Sequence, residues 1–228
     1  MGSQAQLSLR KIGTAGFRHE GVAVHTLVIA GWTGRNQEAL EKHIRELEDL
    51  GVPRPKTTPI FYRVAASLLT TVDEIQVSGA NSSGEVETIL FRLADGLWVG
   101  LGADHTDRKA ETMGVSLSKQ LCAKPVASEV WRYEDLRPHW DKLTLRSWAW
   151  IGGQRQPYQE GPVSTMRDPE DLMKRYGGLQ PGAAMYCGTL AVKGGIRAAD
   201  AFEMELEDPV LGRSIRHKYK IAPLPVEG

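Results

Sequence analysis

The stretch "GEVETILFRL" (84–93) carries two acidic side chains two residues apart, Glu85 and Glu87. Residues two apart on a β-strand point to the same face, so Glu85 and Glu87 would share a face with Ile89 and Phe91. A carboxylate on an otherwise apolar face is costly unless something neutralises it. The pair therefore indicates either a solvated strand face or a bound cation.

A third acid follows from the turn after this strand. The Asp-Gly pair at 95–96 lies between two strand-like runs and is typical of a two-residue hairpin turn. If these two residues form the turn, Glu87 lies directly opposite Asp104 and Glu85 lies diagonal to Asp104. An all-oxygen ligand set selects a hard cation, and we expect Mg²⁺ or Mn²⁺, with Ca²⁺ as an alternative. The other interpretation is that the glutamates are solvated and "GADHTDR" is an ordinary Asp-capped turn.

Mostly short strands are expected to position these residues. The clearest helix is "NQEALEKHIRELEDLG", in which Leu40 and Ile44 lie on one apolar stripe, Asn36 is the expected N-cap and Gly51 the expected C-cap. A second, short helix is predicted in "DPEDLMKRYGG". Short strands are predicted within 7–32, and further strands at 60–64, 74–78, 85–93, 97–102, 143–151, 185–191, 201–207 and 214–221. This pattern predicts a β-rich α+β fold with few short helices.

The bulk composition excludes several classes of protein. Lys and Arg total 28 and Asp and Glu total 28, whereas a nucleic-acid-binding protein usually shows a basic excess. No apolar run approaches the roughly 18 residues of a membrane span, and "MGSQAQLSLRK" has no hydrophobic signal core. The two cysteines, Cys122 and Cys187, have no metal-binding spacing. We expect a cytoplasmic protein with no nucleic-acid or membrane partner.

The order of these motifs resembles the fumarylacetoacetate hydrolase family. That family carries a Glu-x-Glu on one strand, a hairpin, and then an Asp-x-Ser-x-Arg-type segment. "GEVE" and "GADHTDR" match this order, which implies that Glu85, Glu87 and Asp104 hold a divalent metal. Thr106 stands for the serine, and Arg108 matches the arginine.

Further segments follow the same family order. "SKQLCAKPVASEVW" places Lys119 at the lysine beside the metal, and "PIFYRV" places Arg63 or Tyr62 near another lysine position of the family. "LQPGAAMYCGTLAVKGG" matches Thr189 to the family threonine, and "AFEMELED" matches Glu205 to a catalytic glutamate. "WIGGQRQ" is similar to a strand-turn segment of the family.

The resemblance is weakest in the first helix. Some family members place an Asp seven residues before a catalytic His. Here Asn36 lies seven residues before His43, so Asn36 would replace a carboxylate ligand. His43 is either the general base or a structural histidine at the edge of the helix stripe. Glu205 either orients His43 or lies on the wet face of an edge strand.

The resemblance implies a fold and a function. The fold would be a mixed β-sandwich roll forming one domain over 1–228, in which the strands and helix of 1–58 pack on a metal-binding β-core at 59–228. The function would be metal-dependent hydrolysis of a C–C bond in a small, anionic, acylpyruvate-like 1,3-dicarbonyl or 2-oxo acid, in a homodimer. His43, Glu205 and Lys119 would be catalytic. Arg108 would bind the substrate carboxylate, and the other substrate-binding residues would be Thr189, Asn36, Arg63 and Tyr62. The alternatives are a decarboxylase, isomerase or dehydratase of an oxo or sugar acid, and a non-catalytic metal-stabilised binding module.

Overall fold

The structure, a computed structural model, describes residues 4–14, 16–49 and 54–227. The strands are β1 Ala5–Gly13, β2 Gly16–Val24, β3 Thr26–Gly31, β4 Ile60–Val64, β5 Leu69–Thr70, β6 Glu74–Ser78, β7 Ser82–Ser83, β8 Val86–Leu93, β9 Gly96–Ala103, β10 Thr106–Asp107, β11 Lys124–Arg132, β12 Thr144–Ile151, β13 Gln154–Pro162, β14 Ala183–Thr189, β15 Ala201–Asp208 and β16 Arg213–Leu224. The α-helices are α1 Gln37–Asp49, α2 Arg108–Glu111, α3 Val115–Gln120, α4 Tyr133–Leu136 and α5 Pro169–Tyr176. Short 3₁₀ turns lie at Ala66–Leu68, Arg137–Lys142 and Val163–Thr165.

Two mixed sheets build the molecule. A nine-stranded sheet runs in the order β2-β1-β11-β9-β8-β14-β3-β4, with β5 paired to β11, and a five-stranded sheet runs β13-β12-β15-β16-β6. The predicted β-rich α+β fold with few short helices is confirmed. β1 pairs in parallel with β11 and β3 pairs in parallel with β14, so residues 1–58 and 59–228 contribute to one sheet. The division of a single domain at residue 58 stays a prediction.

The main apolar core lies between the two sheets. Val86 and Leu90 of β8 belong to the same buried cluster as Phe202 and Met204 of β15. A second buried cluster covers the other face of the nine-stranded sheet and includes Ile89 of β8. Because side chains alternate along a strand, the face of β8 that carries Ile89 also carries Glu87. The acidic residues therefore lie on the face of the sheet that points away from the five-stranded sheet.

Helix α1 begins where the sequence predicts. The Asn36 side-chain oxygen accepts a hydrogen bond of 3.0 Å from the backbone N–H of Ala39, which is N-cap geometry. Leu40 and Ile44 are buried, as the apolar stripe requires. The predicted C-cap, Gly51, lies outside the described residues. Within the described ranges, no helix is long and apolar enough to cross a membrane.

Candidate metal centre

Three carboxylates converge at one end of the β8–β9 hairpin. Glu85 precedes β8, Glu87 lies on β8, and Asp104 directly follows β9. Their ligand oxygens all lie within 4.8 Å of one another. Glu87 is 2% exposed and Asp104 is 0% exposed, whereas the Glu85 side chain is 17% exposed, so two of the three acids are shielded from bulk water. The structure brings together the three residues that the hairpin predicts as neighbours, and their binding of a metal stays a prediction.

The predicted register of the hairpin is wrong by two residues, because the turn begins one residue earlier than expected. Leu93 pairs with Gly96, so the two turn residues are Ala94 and Asp95 rather than Asp95 and Gly96. Glu87 therefore faces Gly102, while the backbone N–H of Asp104 donates to the carbonyl of Glu85 at 3.0 Å. Glu85 is the glutamate directly opposite Asp104, and Glu87 is the diagonal one.

A long-range ion pair accompanies this register. The ammonium of Lys11, on β1, lies 2.7 and 2.8 Å from the two carboxylate oxygens of Asp95. The indole N–H of Trp98 donates to Asp95 at 3.1 Å. Asp95 thus anchors the turn to a distant strand, an interaction that the local preference of an Asp-Gly pair cannot predict.

A glycine makes room at the position that faces Glu87. A β-carbon on Gly102 would lie 2.7 Å from the ring and 2.8 Å from the hydroxyl of Tyr186. Tyr186 is fully buried, and the charges of Asp104 and Glu87 add to burial in raising its pKa well above the usual value. The Tyr186 side chain therefore stays a neutral phenol beside the carboxylates.

Three cationic side chains surround the carboxylates. Arg108 donates to Glu85 at 3.0 Å. The Lys119 ammonium contacts one oxygen of Asp104 and lies 3.4 Å from Glu85. The Lys124 ammonium lies 3.0 Å from the other oxygen of Asp104. Asp104 is therefore held by a lysine on each oxygen.

Glu87 is in a different position from the other two acids. Within the described part of the chain it forms no salt bridge, and its carboxylate accepts a 2.6 Å hydrogen bond from the backbone N–H of Gly188. Burial, followed by the charges of Asp104 and Glu85, raises the pKa of Glu87 well above its usual value. Burial also acts to raise the pKa of Asp104, but the charges of Lys119 and Lys124 hold it below its usual value.

This contrast tests whether the residues suit a hard cation. Three oxygen donors converge in a dry site, and one of them carries a charge that the surrounding protein disfavours. A divalent cation would favour the ionised form of Glu87, because a nearby positive charge stabilises a carboxylate. The residues present fit Mg²⁺, Mn²⁺ or Ca²⁺, since these ions prefer carboxylate oxygens.

Lys124 is a site residue that the sequence reasoning missed. It is fully buried at the start of β11, and its ammonium also donates to the carbonyl of His105. Val126 pairs with Gly102, so continuing this antiparallel register places Lys124 across from Asp104. The sequence feature that could have identified Lys124 as a site residue is its charge within the otherwise apolar run "LCAKPVA".

Tyr62 lies beside Lys119, and Trp32 is hydrogen-bonded to Tyr62. The Lys119 ammonium lies 6.0 Å from the centre of the Tyr62 ring. Burial raises the pKa of Tyr62, while the Lys119 charge and a hydrogen bond with Trp32 act to lower it. Trp32 has a backbone φ of 56°, in the left-handed region that a bulky residue rarely adopts. Such strain is typical of functional sites, where surrounding contacts hold it.

Thr189 lies beside the centre, on β14. Its hydroxyl donates to the carbonyl of Val86 at 2.8 Å and accepts from the side chain of Gln159 at 2.8 Å. These two bonds fix the strand end that brings the Gly188 N–H to Glu87. Binding of substrate by Thr189 stays a prediction.

Two predicted substrate-binding residues lie elsewhere. Arg63 is next to Tyr62 on β4 and points to the opposite face, where it donates to the Tyr176 hydroxyl at 3.1 Å and lies 3.4 Å from Thr26. Its guanidinium is therefore not part of the centre. Asn36 is exposed, and its side-chain oxygen caps α1; a ligand or substrate-binding role for it stays a prediction.

Glu205 is likewise separate from the centre. Phe202 and Met204 fill the core between the sheets, so Glu205 points to the outer face of the five-stranded sheet. There it pairs with Arg216 at 2.7 Å and with Arg146 at 3.5 Å. The structure does not bring Glu205 to the carboxylates, because the apolar core lies between them. The side chain of His43 lies outside what the structure describes, so its role as a base stays a prediction.

The fold matches known structures. A protein described as a putative fumarylacetoacetate isomerase/hydrolase from Oleispira antarctica aligns with a TM-score of 0.65 and 19% identity, over 95% of this chain and 99% of that chain. A 2-keto-3-deoxy-D-arabinonate dehydratase complexed with magnesium and 2,5-dioxopentanoate aligns with a TM-score of 0.63 and 13% identity, over 92% and 77%. A 4-oxalocrotonate decarboxylase from Pseudomonas putida G7, complexed with calcium and acetate, gives 0.56 and 13%, over 85% and 76%.

The chain thus has the fold of the fumarylacetoacetate hydrolase superfamily. Within it, residues 30–219 match the family described as "Protein of unknown function (DUF2848)", and the chain belongs to that family. Among curated proteins, none matches this sequence.

Proposed function

We propose that this chain is a divalent-metal-dependent hydrolase that cleaves a C–C bond in a small, acylpyruvate-like 1,3-dicarbonyl or 2-oxo acid. The observation that carries the proposal is the buried convergence of Glu85, Glu87 and Asp104, with Lys119 and Tyr62 beside it. The superfamily fold adds support, because similar structures include a dehydratase with magnesium and a decarboxylase with calcium.

The carboxylates would hold Mg²⁺ or Mn²⁺, with Ca²⁺ as an alternative. A metal bound there would supply a Lewis acid for the oxygens of a dicarbonyl substrate. Glu85 is held by Arg108, whose other donors bind Glu111 at 3.0 Å and Ser83 at 2.8 Å. Each nitrogen of this guanidinium has one partner, so Arg108 would position Glu85, and binding of the substrate carboxylate by its two remaining N–H groups stays a prediction.

Lys119 is the chain's own cation for an anionic substrate. Its ammonium is nearly buried, and the Asp104 and Glu85 charges keep its pKa above the usual value, so it stays charged. It would bind the substrate carboxylate or the enolate oxygen that becomes negative during cleavage. The Tyr62 hydroxyl, kept neutral by its raised pKa, would donate a second hydrogen bond there.

Hydrolysis requires a base for water. A water proton would pass to His43, and the resulting hydroxide would attack the acyl carbon. The C–C bond would break with its electron pair leaving as the enolate of the second fragment, which then takes up a proton. Because Glu205 lies beyond the core, His43 would act without the orienting glutamate that the family resemblance implies.

The position of Glu205 favours a second candidate on the same site. Decarboxylation, isomerisation or dehydration of an oxo or sugar acid passes through an enolate without a hydrolytic water, and therefore needs no base-and-orienter pair. A third candidate is a non-catalytic binding module in which the ion stabilises the fold. We further propose a cytoplasmic homodimer, which light scattering would test.

An assay panel separates these candidates. Acylpyruvates, 2-oxo diacids and 2-keto-3-deoxy acids would be incubated with the protein and Mn²⁺ or Mg²⁺, with enol absorbance and CO₂ release followed in parallel. We expect acylpyruvate cleavage that is abolished by His43→Ala and unchanged in Glu205→Gln. Turnover that survives His43→Ala, or CO₂ release alone, would favour the second candidate. A metal-dependent melting temperature with no turnover would favour the third.

A further inference from the structure

We propose that the two lysines on Asp104 have different roles: Lys124 permanently positions the carboxylate, and the Lys119 ammonium is a placeholder that a bound metal displaces. These roles rest on the metal site proposed above. They go beyond it, because they predict how the site stays folded without a metal and what happens to Lys119 when a metal enters.

Lys124 approaches Asp104 from the closed side. Its side chain is 0% exposed, its ammonium lies 3.0 Å from one Asp104 oxygen, and it also donates to the His105 carbonyl. The residue belongs to β11, which is hydrogen-bonded between β1 and β9 in the sheet. Because this ammonium is fully buried between two partners on a central strand, we expect it to stay on Asp104 when an ion binds on the other side.

Lys119 approaches from the other side. Its ammonium contacts the second oxygen of Asp104 and lies 3.4 Å from Glu85, so one cation bridges two of the three carboxylates. Bridging two carboxylates is also what a hard divalent cation does. Lys119 comes from α3, a six-residue helix, and its flexible four-carbon stem allows the ammonium to move without moving the backbone.

Charge balance explains why a placeholder would be useful. Asp104, Glu85, Glu87 and Glu111 face Arg108, Lys119 and Lys124, so the cluster formally carries a charge of about −1 without a metal. A divalent ion beside an undisplaced ammonium would raise the local charge to about +1 and repel Lys119 at short range. The displaced ammonium would move toward the Tyr62 ring, 6.0 Å away, where it can meet an anionic substrate. Metal loading would thereby prepare the site for an anion.

The test compares three lysine-to-methionine variants of the full chain. Lys119→Met removes the placeholder and Lys124→Met removes the positioning residue. Lys11→Met is the matched control, because Lys11 is also fully buried and paired with carboxylates, namely Asp95 and Glu20. For each protein, Mn²⁺ affinity would be measured from the free-ion electron paramagnetic resonance signal, and the melting temperature would be measured with and without saturating Mn²⁺.

We expect Lys119→Met to bind Mn²⁺ at least about tenfold more tightly than the wild type, since a competing charge is removed. Its melting temperature should be reduced without metal and restored by Mn²⁺. Lys124→Met and Lys11→Met should stay below the metal-loaded wild type even with Mn²⁺, because the ion cannot replace either buried ammonium.

Each other outcome is decisive. If the wild type binds Mn²⁺ and Lys119→Met binds no more tightly, the placeholder role is overturned while the metal site stands. If Mn²⁺ restores Lys124→Met to the wild-type melting temperature, the positioning role is overturned. If neither the wild type nor Lys119→Met binds Mn²⁺, the proposed metal site itself fails, and the lysine roles fail with it. If Lys124→Met does not fold, the affinities of Lys119→Met and Lys11→Met decide the question.

Discussion

Two Glu-x-Glu patterns in this chain have opposite surroundings. In "GEVE" before and on β8, Glu85 and Glu87 converge with Asp104 within 4.8 Å on a buried face. In "FEMELE" on β15, the glutamates spread along the outer face of the other sheet, each beside an arginine. The pairs are Glu203–Arg155 at 2.7 Å, Glu205–Arg216 at 2.7 Å and Glu207–Arg146 at 2.6 Å.

The difference shows that an acidic repeat on a strand does not by itself identify a site. Hydrogen bonding from Arg155 lowers the pKa of Glu203, so the ionised form of this outer glutamate is stabilised. Burial and neighbouring carboxylates raise the pKa of Glu87, so the ionised form of this inner glutamate is destabilised. The inner cluster holds unfavourable charge that a ligand can relieve, and the outer one does not. Four experiments test this contrast.

The largest effect is expected for Asp104→Asn. The substitution keeps the shape of the side chain but leaves Lys119 and Lys124 buried without their shared counter-charge. Removing one partner of a buried ion pair costs about 3–5 kcal/mol, so urea unfolding should show a loss of that size. The matched change on the outer face is Glu205→Gln. The Glu205 side chain is 8% exposed but its partner Arg216 is 70% exposed, so solvent can reach the guanidinium and the loss should be smaller, about 1–2 kcal/mol. Equal losses in the two variants would contradict the contrast.

Glu87→Gln should separate stability from function. The neutral amide removes the carboxylate whose ionised form is disfavoured by burial and by the other two acids, so the metal-free variant should be at least as stable as the metal-free wild type. Loss of one of three charged ligands should weaken Mn²⁺ binding, and turnover with it, by about a hundredfold or more. Isothermal titration calorimetry and the acylpyruvate assay would measure both. If this variant binds Mn²⁺ as tightly as the wild type does, Glu87 is not a ligand of the metal.

The buried side of the centre should also respond to pH. Burial, assisted by the Lys124 and Arg108 charges, lowers the pKa of His105 from 6.5 to about 3. Between these values the unfolded chain binds a proton that the folded chain does not, so stability is lost as the pH falls below 6.5 and is unaffected above it. The expected contribution is about 1.4 kcal/mol per pH unit, or roughly 2 kcal/mol at pH 5.

The control for this prediction is His105→Gln. It loses hydrogen bonds to Tyr219 and Ser82, both 2.9 Å long, and should be less stable at every pH. Its unfolding free energy should nevertheless fall less steeply than that of the wild type between pH 7 and pH 5. Parallel profiles for the two proteins would show that His105 does not remain neutral in the fold.

The smallest effect is expected for Glu207→Gln. The Glu207 side chain is 38% exposed, and its ion pair with Arg146 is open to solvent. Exposed pairs of this kind contribute up to about 1 kcal/mol, and salt screens them. The loss of unfolding free energy, measured by urea unfolding, should shrink further in 0.5 M NaCl, because the Debye length then falls below about 10 Å. A larger, salt-independent loss would mean that the outer face is not a solvated one.

Local patterns in the sequence were sufficient for much of the fold. Helix α5 forms as predicted from "DPEDLMKRYGG". The Asp168 side chain accepts a hydrogen bond of 2.8 Å from the N–H of Glu170, and Gly177 ends the helix with a φ of 91°. Strands β4 and β6 have the predicted bounds, because alternation of apolar residues is a local signal. β11 and β13 were not predicted, since their charged and proline-containing sequences lack a clean alternation.

Strand periodicity and turn preference act over a few residues, so the chain's local patterns were enough to place Glu85 and Glu87 on one strand face and to return a third acid to them by a hairpin. The register is visible only in the folded chain, where Lys11 pairs with the turn residue Asp95. Tertiary contacts also bring Lys124 to Asp104 and place the core between Glu205 and the carboxylates. These outcomes depend on which distant strands pair and which face is covered, and such long-range contacts leave no periodic trace in the chain.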